Sequence, residues 1–259
     1  MSTSFALLEE EFWLQPYGEV IQRRHARFQA AYSAITDYAG SIVEFASSHE
    51  YYGIHVDPIR KGWTYREWAP HAKALYLIGD FNGWNRTSHP LRRNSRGDWE
   101  IFLPQTQYQD SFVHGSKLKV RVIGANDSDL DRIPAYIRRV VQDEKTKDFA
   151  GQLWFPAKPF SWTDQSFSPK KSLQAPLIYE CHVGMAQEKE GVGTYAEFEQ
   201  YILPRIHAAG YTAIQLMAVM EHPYYGSFGY HVSNFFAPSS RFGTPEELKS
   251  LINAAHSLG

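Results

Sequence analysis

Glu180, Cys181 and His182 form the most chemically loaded triplet in the chain, and they invite two readings, a metal site and a thiol nucleophile. Their neighbours Leu177, Ile178, Tyr179 and Val183 make the stretch a β-strand. Adjacent strand residues point to opposite faces, so the three cannot converge on one ion without further ligands. No metal and no organic cofactor is expected. Nothing marks Cys181 as activated, and it reads as a small buried hydrophobe. The other chemistry lies in flat rings. Aromatic residues make up 15% of the chain, with seven Trp and sixteen Tyr, and such faces either fill a core or stack on sugar rings.

The rest of the composition narrows the class. At 259 residues and 43% hydrophobic, the chain can bury one or two ordinary cores. A net charge of −2 without a basic segment argues against nucleic acid. The one cysteine fits a reducing compartment, so the cytoplasm is expected. Glu9, Glu10 and Glu11 stand where a secretory signal needs basic and apolar residues, and no stretch has the length of a membrane helix. Asn85-Arg86-Thr87 and Asn126-Asp127-Ser128 match the N-glycosylation pattern and read as chance.

Four segments position these residues. In 1–50 the spacing of Tyr17, Ile21, Phe28, Tyr32 and Ile35 predicts an amphipathic helix within a helical stretch 5–47. In 51–123, short β-rich runs at 63–68, 74–81, 99–103 and 117–122 alternate with turns, which predicts an antiparallel β-sandwich. Residues 124–175 look like an irregular connector broken by Pro134, Pro156, Pro159 and Pro169, with Trp154 and Trp162 holding it against its neighbours. From 176 onward the pattern is strand, helix, strand, helix. Capping boxes open the helices at Thr194/Glu197 and Thr244/Glu247, with Pro245 at the first helical position. The apolar run 211–219 is that of a parallel strand covered on both faces, and the order is that of an α/β fold.

Tyr51-Tyr52-Gly53-Ile54-His55, Glu67-Trp68-Ala69-Pro70, Gly79-Asp80-Phe81-Asn82-Gly83-Trp84-Asn85 and His114-Gly115-Ser116-Lys117-Leu118-Lys119 resemble the glucan-binding module of α-glucan branching enzymes. That module is of the family 48 carbohydrate-binding type. Ile178 to Gly184 is similar to the first strand of the catalytic barrel in glycoside hydrolase family 13, with Cys181 where Ser is usual. Leu203-Pro204-Arg205-Ile206, the run Ile214 to His222, Ser227-Phe228-Gly229-Tyr230 and Phe235 to Gly259 continue the likeness. The fold implied is multi-domain: N-terminal helices, an immunoglobulin-like all-β sandwich, and the first two units of a (β/α)8 barrel. A complete barrel takes about 250 residues, whereas 84 follow Ala175, so a fragment is expected.

The resemblance implies transfer of α-1,4-glucan segments to 6-hydroxyls, making α-1,6 branches by a retaining mechanism. In it an Asp attacks the anomeric carbon and a Glu protonates the leaving oxygen, the pair lying roughly 5 Å apart. Both are expected beyond Gly259, so this chain alone should not catalyse. The family positions for substrate fall on Tyr230, which would stack under a sugar, and on His222 at a strand end. On the sandwich they fall on Trp68, Ala69, Pro70, Trp84, Lys119 and the turn Ser95, Arg96, Gly97, Asp98. Trp68 and Trp84 have core packing as their alternative role, and Lys119 has simple solvation. The expected partner is an α-glucan such as glycogen or starch, the full enzyme being a monomer. The alternatives are a non-catalytic glucan-binding module, an aggregating or degraded remnant, and the front of a debranching hydrolase.

Overall fold

The computed structural model describes residues 6–168 and 175–259, so Pro169 of the connector lies outside the described residues. The chain divides into two compact units, 1–51 and 52–259. The first is helical: α1 (Ala6–Glu10), a 3-10 turn Phe12–Tyr17, α2 (Gly18–Ala39), α3 (Ile42–Phe45) and α4 (Ser48–Tyr51). The stretch read as continuously helical is thus interrupted twice. Pro16 sits in the 3-10 turn, where its fixed φ and missing N–H suit a helix start better than an interior. At the other end Gly40 takes a positive φ and donates its N–H to Thr36 O, a glycine stop. Ile21, Phe28, Tyr32 and Ile35 of the predicted stripe fall on α2, with the Phe28 and Tyr32 rings 6.1 Å apart, while Tyr17 lies in the preceding 3-10 turn and α2 buries no residue.

The second unit begins with two antiparallel sheets. β1 (Gly53–Asp57), β2 (Gly62–Glu67), β3 (Ala72–Gly79), β4 (Arg92–Arg93), β5 (Trp99–Pro104), the turn of helix α5 (Gln105–Tyr108) and β6 (Lys117–Gly124) follow one another. Then come β7 (Asp129–Arg132), β8 (Val140–Gln142) and β9 (Phe149–Gln152). One sheet has the order β1-β2-β5-β4 and the other β3-β6-β9-β8, with β7 on β6. Tyr65, Trp99 and Leu103 from the first meet Leu75, Leu77, Leu118, Val120 and Val140 from the second in one core. The segment 89–93 crosses between the sheets. Leu91 N bonds Leu75 O, and Arg92 and Arg93 then pair with β5.

The connector reading of 124–175 needs correction. Residues 129–152 supply three strands of the second sheet, held by cross-strand pairs such as Arg121↔Asp131 and Val141↔Ala150. Their shortness hides them, and the polarity of β7, exposed along its whole length, removes any alternation signal.

The α/β part follows. β10 (Ile178–His182) leads into Tyr195–Glu197, a π-helical turn Phe198–Ile202 and Leu203–Ala208, together α6. β11 (Ala213–Met217), β12 (Met220–Glu221), β13 (Asn234–Pro238) and α7 (Pro245–Ser257) complete it. β10 and β11 are parallel, with Ile178↔Ala213 through His182↔Met217 in register. Both predicted capping boxes are present, at Thr194 and Thr244. The π turn precedes Pro204, whose missing N–H and ring interrupt the i to i−4 ladder. Val183, Tyr195, Phe198, Ile202, Leu203, Ile206, Phe242 and Leu251 form the core here.

Candidate functional site

Trp68 leaves the end of β2 and is 65% exposed, which rules out core packing for it. Its backbone N–H donates to Glu67 Oε1 at 3.1 Å. Glu67 is itself buried and also accepts from the Tyr65 hydroxyl (2.9 Å) and Ala135 N (3.0 Å). Burial raises the Glu67 carboxyl above its ordinary value, with the three donors pulling the other way. Ala69 and Pro70 are fixed by their carbonyls: Trp99 Nε1 donates to Ala69 O at 2.9 Å and Arg93 Nη2 to Pro70 O at 2.8 Å. Because Arg93 and Trp99 lead into and out of the 94–98 turn, these bonds tie the turn of Ser95, Arg96, Gly97 and Asp98 to the Ala69–Pro70 backbone. Asp98 is buried and accepts from the Tyr52 hydroxyl at 2.7 Å. Tyr52 stacks on Tyr136, and Tyr136 on Phe236 of β13.

Trp84 and Lys119 belong to a different place. Trp84, 37% exposed with φ +60°, follows β3, and its indole N–H donates to Asp80 Oδ1 at 2.9 Å. The other oxygen of Asp80 accepts from Lys117 N of β6 at 2.7 Å. Lys119 pairs across from Ile78 near that end and its Nζ is 2.6 Å from Asp148. Trp68 therefore precedes the eight-residue β3 and Trp84 follows it, and the strand itself is about 23 Å long at the usual rise. The structure brings Trp68–Pro70 together with the turn, and Trp84 together with Lys119, but not one group with the other.

The third group lies at the carboxyl ends of β10 and β11. Tyr230 is 80% exposed and its N–H donates to Ser227 O. Phe228 and Gly229 before it both have positive φ, as does Ala218. A Cβ on Gly229 would lie 2.3 Å from Ala218 Cα, so only glycine lets the loop settle on the strand end. His222 is fully buried and its Nδ1 donates to Met220 O at 2.9 Å. Beside it Glu221, also fully buried, accepts from His222 N and from Ser240 N at 2.8 Å. His182, weighed in the sequence only as a metal ligand, is buried at the end of β10, and burial and then His222 hold its imidazole below the ordinary range. The Cys181 thiol is pushed up to about 11 by burial and the Glu180 charge, the reverse of activation. Among the described residues no group of three or more His, Cys, Asp or Glu could hold a metal ion. No described helix is long and apolar enough to cross a membrane.

Residues 51–137 match carbohydrate-binding module 48, the isoamylase N-terminal domain. A 1,4-alpha-glucan-branching enzyme of Dictyostelium discoideum is 46% identical over 98% of this chain, and one of Emericella nidulans 41% identical over all of it. The match is to the branching enzymes. The Arabidopsis thaliana branching enzyme 2-2, described as chloroplastic/amyloplastic, is 45% identical over 95% of the chain. The chain spans 37%, 38% and 30% of these three relatives' own lengths. Because the Emericella likeness covers the whole chain, Trp68 and Tyr230 lie within the same branching-enzyme resemblance. Among solved structures, a Group B Streptococcus pullulanase in complex with maltotetraose superposes on 80% of the chain and 32% of its own. Its TM-score is 0.62 at 21% identity. The catalytic module of the glycogen-degrading pneumococcal virulence factor SpuA gives 0.59 at 17% identity, over 80% of this chain and 36% of its own. These two establish the fold of the shared region.

Proposed function

We propose that this chain is the amino-terminal part of an α-glucan branching enzyme. The sandwich, immunoglobulin-like in class, holds glucan, and the β10–β11 pair with α6 and α7 opens a (β/α)8 barrel. The observation that carries the reading is the identity of 41–46% to branching enzymes along the chain, against 21% or less to the pullulanase and SpuA structures. The exposed ring of Trp68, with its backbone locked by Glu67, is a preorganised face for a neutral, hydroxyl-rich chain. Tyr230 offers a second face at the strand ends, where parallel folds collect their chemistry. The whole protein transfers α-1,4 segments to 6-hydroxyls through an Asp nucleophile and a Glu acid supplied by later strands. It works without metal, as a monomer, in the cytoplasm.

The test is to incubate amylose with the protein extended to the length of its relatives and count α-1,6 linkages by proton NMR. Rising α-1,6 signal at constant reducing ends supports branching. Release of reducing ends with loss of α-1,6 linkages from glycogen supports the debranching alternative and overturns the proposal. The 259-residue chain itself should sediment with glycogen and turn over neither substrate.

A further inference from the structure

The imidazoles of His182 and His222 carry three ring nitrogens that no described protein group meets. His222 Nδ1 donates to a carbonyl, so it holds the proton and Nε2 is left as a bare acceptor. That Nε2 and both nitrogens of His182 are buried without a partner, in side chains 0% and 7% exposed. The wall around them is aromatic. Phe242 lies 5.4 Å from the His182 ring and 6.1 Å from the His222 ring, and Tyr225 and Phe228 stand edge-on to His182 at 5.8 and 6.0 Å.

Buried polar groups are nearly always hydrogen-bonded, and an orphaned one calls for a ligand or a functional reason. Both rings adjoin Phe242, and His182 ends β10 of the parallel pair, the end of a strand at which such folds bind small molecules. Tyr225 and Phe228 belong to the same loop as Tyr230, the candidate stacking ring.

We propose that His182 and His222 jointly receive one hydroxyl of a bound glucose unit, His182 donating its N–H to the oxygen and His222 Nε2 accepting the hydroxyl hydrogen. The chemistry selects this group. A hydroxyl donates and accepts at once, matching one N–H and one bare nitrogen, and an aromatic wall penalises a charged ligand. Phe228, itself 43% exposed, is the side chain that turns aside for entry. The inference rests on the glucan reading, and it adds His182 as a specificity residue.

Both histidines and their aromatic wall lie within this chain, so the chain suffices for the test, which is imidazole 15N NMR during titration with maltoheptaose. The His182 and His222 resonances should shift on saturation, in the Trp68→Ala variant as in the unsubstituted protein. His182→Phe should bind about fivefold more weakly, the equivalent of one hydrogen bond, yet melt at a higher temperature because it removes an unpartnered buried dipole. His182→Gln, which keeps a donor and an acceptor, should bind better than His182→Phe. Imidazole signals that stay fixed while tryptophan fluorescence reports bound sugar overturn the inference and leave the glucan reading standing. No binding by either probe overturns both. If His182→Phe does not fold, the titration of the unsubstituted chain decides.

Discussion

The Glu67 carboxylate takes three hydrogen bonds, from Tyr65, Ala135 and Trp68, and each partner is a donor. Glu67→Gln sets an NH2 group against at least one N–H, which should cost about 1–3 kcal/mol in urea denaturation and loosen Trp68. The pH dependence has a defined sign. Because the folded Glu67 value is raised above the ordinary 4.5, its contribution is whole below the unfolded value and is lost as pH rises through the folded one. Asp129, Asp143 and Glu197 run the other way. Each is held at about 2, by Arg121, by the Thr146 and Lys145 amides and by Lys189 respectively. Their contribution is present above the unfolded values and is lost as pH falls toward about 2. Unfolding curves across the pH range should fall on the acid side, and Glu67→Gln should flatten the loss on the other. Trp68→Ala should weaken glycogen binding about two- to tenfold, the size of one stacking contact, by sedimentation with the polymer. Wild-type binding by that variant would remove Trp68 from the site.

At the level of elements, local signals are legible in the sequence and non-local ones are not. Thr194 and Thr244 announce their helices because a capping box is closed by residues three apart, and both boxes form. Thr244→Ala should lower stability by about 1 kcal/mol, read by thermal melting. Alternation exposes β2, β5 and β6 because each has one face in the core. β7 pairs with its neighbour β6 as a hairpin, but it has no buried residue, so no alternation marks it in the sequence. Tyr230 and Trp68 are readable as chemistry because their motifs are contiguous. The His182 environment is not, since Tyr225, Phe228 and Phe242 reach it from distant parts of the chain. The Tyr230 loop offers a sharp test. Gly229→Ala forces a side chain into the Ala218 backbone at positive φ and should cost more than about 2 kcal/mol, seen as a lowered melting temperature. An unchanged melt would mean the loop does not rest on the strand end.

Over the whole molecule, residues 52–259 are joined across the change from β to α/β architecture. Arg139 Nη1 donates to Gly243 O at 2.6 Å and its guanidinium lies 4.9 Å from the Trp154 ring. Trp154 Nε1 bonds Glu246 at the start of α7, and Tyr136 stacks on Phe236 at 4.4 Å. Burial lowers the Arg139 value while Glu221 and Glu247 oppose the shift, so the cation is desolvated and must keep its acceptors. Sandwich and α/β part should therefore unfold in one calorimetric transition. Two resolved transitions would show that these contacts do not couple them. Arg139→Ala should split the transition or lower its midpoint.

The separation of Trp68 and Trp84 along β3 has a further consequence, one of valency. On the proposed glucan reading, two faces set before and after a strand about 23 Å long would each hold a separate outer chain of the same polymer particle. The first contact then sets a high local concentration for the second, and the gain depends on how densely the chains are spaced. A short maltooligosaccharide would register only the intrinsic strength of one face, while a crowded glycogen surface would be held with avidity that neither face has alone.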